Sequence, residues 1–300
     1  MKKVDYARLP TEKSNPRSRN IDGLPVERIL EIISHEDAKI PEAVAKVKKN
    51  IARAVKLIVA RIQNGGRVFF AGAGTSGRLG ILEAAECPPT FNTPPALIQA
   101  VIAGGRKAVF RSQEGAEDRR DQGCKIFRKK IEPEDVLIGI AASGVTPFVA
   151  GAIEAAKEKK AAVILIACNA ASPFKGLVDC LIAPKIGPEI ITGSTRLKAG
   201  TATKLILNML TVASMIRLGK VYQNWMVDLQ PKSQKLRARA LRLIERLGRV
   251  SSKEARDYFE RAGRKTKPAI LMAKKGLSYP EASEKLKKAS GFLRKALAKL

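Results

Sequence analysis

The chain has 300 residues, 45% of them hydrophobic, which suffices for one large domain with a real core and a small second one. No apolar run in the sequence approaches the roughly 20 residues needed to cross a bilayer. The basic start MKKVDYARLPTEKSNPRSRN lacks the hydrophobic stretch of a signal peptide, so a cytoplasmic protein with no membrane partner is expected. The formal net charge of +28 attracts nucleic acid, acidic surfaces or anionic small molecules without choosing among them. About 21 Lys/Arg against about 6 Asp/Glu fall in residues 231–300, so much of the excess lies in the last quarter. Cys87, Cys124, Cys168 and Cys180 are widely spaced, follow no C-x-x-C pattern and have only His35 as an imidazole companion, which points to reduced thiols and no metal site.

In chain order, residues 1–22 are polar, carry Pro10 and Pro16, and read as an extended arm. Leu30, Ile33, Val44, Val47, Ile51, Val55 and Ile58 then recur at three- and four-residue steps until Gly65-Gly66, which predicts two helices. The runs RVFFAG, ALIQAVIAGG, DVLIGIAAS, AAVILIAC and DCLIAP read as buried strands, with helical segments near 77–86, 115–130 and 146–160 between them. That alternation predicts an α/β fold, a doubly wound five-stranded parallel sheet whose ligand lies beyond the carboxyl ends of the strands. ATKLILNMLTVASMIRLGK reads as a helix apolar on nearly all sides, buried against the sheet or a partner subunit, and suggests a homodimer. Beyond Pro231, short amphipathic segments broken at Gly248, Gly263, Gly276 and Gly291 predict a small all-helical domain. The expected division is residues 1–230 and 231–300.

Gly72-x-Gly74-x-x-Gly77 follows the first strand, a spacing shared by dinucleotide-binding turns. Such a site should also have an acidic residue about 20 positions on, at the end of the second strand. That strand ends VIAGG, without a carboxylate. The turn instead carries Thr75 and Ser76, a second turn supplies Ser143, Gly144 and Thr146 in ASGVTP, and a third cluster follows in GSTRLKAGTATK. Hydroxyls and helix-start amides suit a phosphate monoester on a small sugar, whereas the bland reading makes them N-caps of three helices. Among the carboxylates, Glu83 and Glu86 lie on the helix that begins at the glycine turn. Glu114 falls after the second strand, at the ligand-binding edge, and Glu117 and Asp118 read as first-turn charges of the following helix. Solvated surface is the default for any one of them.

The blocks GAGTSGRLGILEAAECPPTFNTPP, EGAED, GIAASGVTP, GPEIITGSTRLKAGTATKLILNML and RLGKVYQNWMVDLQ resemble, in order and spacing, the N-acetylmuramic acid 6-phosphate etherases, which have the sugar isomerase (SIS) fold. The likeness runs from TEKSNPRSRNID to AILMAKKGLSYPEASEKLKKASGFLRKAL, nearly the whole chain. It implies cleavage of the D-lactyl ether of a sugar phosphate by elimination and hydration, with no metal or organic cofactor. It further implies that Glu83 transfers protons, that Glu114 is its partner, and that Gly74, Thr75, Ser76, Ser143, Gly144, Thr146, Glu189, Ser194 and Thr195 contact the substrate, with Glu189 a third candidate for proton transfer because isomerases of this fold place a glutamate shortly before a similar Ser-Thr pair. The C-terminal part resembles a small ubiquitin-associated-like helical domain. Val145 departs from the pattern, since many etherases have Arg at that place in the second turn. Rival readings are a non-catalytic sugar-phosphate sensor, an isomerase of the same fold, and a nucleic-acid-binding regulator. With 5% aromatic residues, nucleic-acid binding should be weak, nonspecific and salt-sensitive. His35 falls in the leading helical segment, away from any strand end, and reads as a surface or interface residue.

Overall fold

The computed structural model describes residues 5–298. The chain divides into two compact units, Met1–Ala85 with Pro95–Thr211, and Glu86–Pro94 with Val212–Leu300.

In the first unit, α1 (Val26–Asp37), α2 (Ile40–Lys46) and α3 (Lys48–Gln63) precede the sheet. The sequence predicts two helices here. Pro41, a start residue that cannot sit in a helix interior, opens the separate short α2. Strands β1 (Val68–Gly72), β2 (Ile98–Ile102), β3 (Val136–Ile140), β4 (Ala162–Ile166) and β5 (Cys180–Ile182) form one parallel sheet in the order β2-β1-β3-β4-β5. Every residue of β1, β3 and β4 is buried, as expected where helices cover both faces. Gly72 pairs with both Ile102 and Ile140, so the three strands nearest the glycine turn end flush at one edge. The connecting helices are α4 (Gly74–Phe91), α5 (Lys107–Phe110), α6 (Arg120–Lys130) and α7 (Pro147–Glu158), and α8 (Lys198–Arg217) follows β5. On one face of the sheet, Phe69 and Phe127 meet edge to face, their ring centres 6.3 Å apart, among Leu137, Phe148 and Ile153.

Two expectations need correction. Residues 6–23 are not extended: they form four short 3-10 turns, with Leu9, Thr11, Asn15 and Ser18 buried. Glu117 and Asp118 do not open α6, because they lie in a separate 3-10 turn, Ala116–Asp118, that ends before Arg120. Among the described residues, α8 is the one helix long and apolar enough to span a membrane by composition. Ile206, Leu207 and Leu210 are fully buried within the protein, the pattern of a core helix.

In the second unit, α9 (Gln234–Gly248), α10 (Ser252–Arg261), α11 (Thr266–Lys275), α12 (Tyr279–Lys288) and α13 (Leu293–Leu297) close on Ile244, Phe259, Ile270, Leu271 and Leu293. Ser251 with Glu254 and Ser278 with Glu281 form reciprocal capping boxes that start α10 and α12. Lys220 and Lys267 both lie 2.9 Å from Asp228.

Candidate functional site

The first turn is set by contact rather than by glycine flexibility alone. A Cβ on Gly72 would lie 2.7 Å from the Gly77 amide nitrogen, and one on Gly77 would lie 2.5 Å from Ile102 Cγ1. Removing both side chains lets the start of α4 sit directly on the ends of β1 and β2. Gly74 is exposed, while Thr75 and Ser76 are half-buried. A methyl placed on Gly200 in the first turn of α8 would be 3.7 Å from Thr75 Cγ2, so the starts of α4 and α8 adjoin at the same edge.

The second turn is bolted to the segment after β4. Asn169 Nδ2 donates to the Ser143 carbonyl at 2.9 Å, and Ser172 Oγ donates to the Gly144 carbonyl at 2.6 Å. Gly144 has φ +73°, and a Cβ there would lie 2.9 Å from Ser172 Cβ. Thr146 occupies the N-cap of α7 without its hydroxyl capping the helix, so the bland capping account does not hold for it. Val145 is buried at 5% exposure, and the turn has no cation in the place where many etherases have arginine.

The third cluster has two characters. Ser194 and Thr195 are half-buried in the loop before α8. Glu189, by contrast, is 1% exposed and accepts from the backbone amides of Lys198 at 2.8 Å and Ala199 at 2.9 Å. Both its oxygens thus cap α8, and burial raises its carboxyl above the ordinary value despite these bonds.

A cleft of about 130 Å³ at the β1/β2 end is lined by Gly74, Arg78, Ser112, Glu114 and Glu117, among others. Arg78 Nε donates to the Val109 carbonyl at 2.9 Å. Ser112 Oγ donates to Glu114 Oε1 at 2.7 Å. Glu117 has its carboxyl raised, first by desolvation and then by the negative charges of Asp118 and Glu114. Carboxylates set beside a cleft in this way are candidates for proton transfer.

Glu83 stands elsewhere. It lies nine residues beyond Gly74, about 13 Å along α4, and is 5% exposed. Its Oε2 accepts from Lys204 Nζ at 3.1 Å and its Oε1 from the Thr211 hydroxyl. Glu83 does not line the cleft, whereas Glu117, read from the sequence as a helix-start charge, does. Glu86 is exposed, as is His35 on α1. None of the four cysteines forms a disulfide among the described residues, and burial followed by the charge of Glu189 pushes the Cys168 thiol up to about 12, too high for a nucleophile at neutral pH. Among the described residues no group of three His, Cys, Asp or Glu side chains could hold a metal ion.

Sequence reasoning missed Lys204, Thr211, Asn169 and Ser172. The signal for the first two was the K-x-x-x-N-x-x-T spacing on α8, which puts Lys204, Asn208 and Thr211 on one helix face.

Residues 50–157 match the glucokinase regulatory protein N-terminal SIS domain family, and residues 127–213 match the SIS domain family. A curated N-acetylmuramic acid 6-phosphate etherase of Rhizobium rhizogenes is 49% identical over 98% of this chain and 96% of its own length. The etherase of Clostridium acetobutylicum is 48% identical over 96% of each. Among solved structures, a phosphoheptose isomerase from Francisella tularensis aligns with a TM-score of 0.48 at 20% identity, over 62% of this chain and 98% of that one. With identity of this order over nearly the full length, the chain belongs to the N-acetylmuramic acid 6-phosphate etherase family.

Proposed function

We propose that this protein hydrolyses the D-lactyl ether of N-acetylmuramic acid 6-phosphate, giving N-acetylglucosamine 6-phosphate and D-lactate in the recycling of cell-wall sugar. The observation that carries the reading is near-full-length identity of 45–49% to etherases, joined to a cleft where Gly74 of the first turn meets Glu114 and Glu117. The sugar ring opens to the aldehyde, which acidifies the hydrogen at C2. A carboxylate takes that proton, the C3–O bond breaks, and the lactate oxygen leaves with a proton. Water then adds across the double bond, its hydroxyl going to C3 and a proton returning to C2.

We assign the phosphate to the turns at Gly74–Ser76, Ser143–Thr146 and Ser194–Thr195, whose hydroxyls and helix-start amides offer short donors. Proton transfer goes to Glu83 with Glu114, the two glutamates that match the family's catalytic pair. Glu83 has a cation and a hydroxyl beside its two oxygens, Lys204 and Thr211, and Glu114 lines the cleft. Glu189 acts through its cap on α8 rather than on the sugar. Residues 1–230 form the sugar-phosphate domain in this reading and 231–300 a small helical domain. A cytoplasmic homodimer fits the exposed Met209, Val212 and Ile216, which recur in steps of three and four along α8. Nucleic acid is at most a weak, nonspecific partner.

The test is to incubate the purified chain with the muramic sugar phosphate in deuterated buffer. D-lactate release with one deuterium at C2 of the product is expected. Product that retains the lactyl ether would instead indicate an isomerase.

A further inference from the structure

Residues 188–190, just ahead of Ser194 and Thr195, are gripped one after another by side chains from distant parts of the chain. The Pro188 carbonyl accepts from Asn15 Nδ2 at 3.2 Å and from Lys198 Nζ at 3.0 Å. The Glu189 carboxylate caps α8 through the amides of Lys198 and Ala199. The Ile190 carbonyl accepts from Ser18 Oγ at 2.6 Å. Asn15 Nδ2 and Lys198 Nζ also meet on one oxygen, Glu36 Oε2, at 3.1 and 2.6 Å. Farther along the loop, a Cβ on Gly193 would lie 3.2 Å from Glu12 Oε2.

Asn15, Ser18, Glu36, Glu189 and Lys198 are all buried, between 1% and 8% exposed. A buried lysine and a buried glutamate are tolerable only when paired and hydrogen-bonded, so the cluster has one satisfied arrangement and little freedom to shift. That arrangement fixes two things together: the start of α8, where Gly200 adjoins Thr75, and the path of the loop bearing Ser194 and Thr195.

We propose that the N-terminal segment is a clasp for the substrate loop, with Asn15, Ser18 and Lys198 as positioning residues that hold Ser194 and Thr195 in register with the turns at Thr75 and Ser143. None of the three need touch the sugar. Their action is to spare the loop the ordering that ligand binding would otherwise impose. The proposal rests on the assignment of Ser194 and Thr195 to the phosphate.

The test uses the full chain and reads the Kd for N-acetylglucosamine 6-phosphate by titration calorimetry, with D-lactate release measured separately. Asn15→Ala and Ser18→Ala are the main variants, since Lys198→Met takes from Glu36 its buried cation, leaving the more exposed Lys39 and Arg17, and can fail to fold. Each is expected to weaken binding about tenfold in the otherwise unaltered chain. In a Ser194→Ala/Thr195→Ala background the same changes should weaken it less than about twofold, because the group being positioned is gone. A role confined to stability would lower the unfolding midpoint and leave Kd unmoved, which overturns the clasp. An equal loss in both backgrounds overturns it too. A chain that binds the sugar phosphate yet releases no D-lactate refutes the etherase activity alone, while failure to bind it at all refutes both.

Discussion

Lys204 Nζ sits 3.1 Å from Glu83 Oε2, joining α8 to α4 across 121 positions of sequence. Thr211 closes the other oxygen of the same carboxylate, and Lys204 also donates to Asn208. A carboxylate that is 5% exposed and satisfied on both oxygens stabilises the packing of the two helices, and breaking the pair strands a charge.

Lys204→Met should therefore destabilise the fold by about 2 kcal/mol, the lower end for a pair whose cation is partly exposed. Urea denaturation of the variant beside the parent measures this. A change below about 0.5 kcal/mol would mean the pair is solvated in solution.

Glu83→Gln should lower kcat by about 100-fold or more with a small change in KM, as when one proton-transfer group is lost. Glu117→Gln should retain kcat within about tenfold. The reverse ranking in D-lactate assays would move the acid/base role to Glu117.

The Glu117 carboxyl is raised by desolvation and by the negative neighbours Asp118 and Glu114. Removing a negative charge makes ionisation easier, so Asp118→Asn should move the titration of the Glu117 carboxyl, followed by NMR, to lower pH. A titration that stays in place would mean that Asp118 does not act on Glu117.

Glu36 is pushed up by burial, but hydrogen bonds from Lys198, Lys39 and Asn15 outweigh this and hold its carboxyl at about 2, against an ordinary 4.5. As pH falls, the unfolded chain takes up this proton first. The stabilisation, on the order of 3 kcal/mol, is therefore full above pH 4.5 and is lost between there and pH 2. Denaturation midpoints of the parent and Glu36→Gln should converge across that window, and parallel curves would count against the linkage.

Gly144→Ala places a Cβ at φ +73° and 2.9 Å from Ser172 Cβ. A loss of about 1–3 kcal/mol in stability is expected, with weaker sugar-phosphate binding because Ser143 and Thr146 flank the strained position. Calorimetric unfolding and ligand titration test the two effects separately.

The sheet was legible because β1, β3 and β4 are buried on both faces, so VFFAG, VLIGI and AVILI stand out as short apolar runs between glycine-rich turns. The hydroxyl turns were legible for the same reason, since strand ends in a parallel sheet share one edge. The partners of the carboxylates were not. Whether Glu83, Glu114 or Glu117 faces the cleft depends on contacts such as Lys204 to Glu83, and periodicity carries no record of pairing across 121 positions. Asn15 was hidden likewise: a polar segment with two prolines reads as an arm until Glu36 and Pro188 are seen to hold it.

The second turn carries a buried valine, and Arg78, the only basic side chain among the described residues that line the cleft, spends its Nε on the Val109 carbonyl. In the proposed assignment the phosphate is met mainly by neutral donors, hydroxyls and backbone amides, even though the molecule as a whole carries +28. The two properties are uncoupled. Ionic strength should strip diffuse polyanions from this surface while leaving the grip on a sugar phosphate nearly intact, so the protein can be strongly cationic without its chemistry becoming hostage to salt.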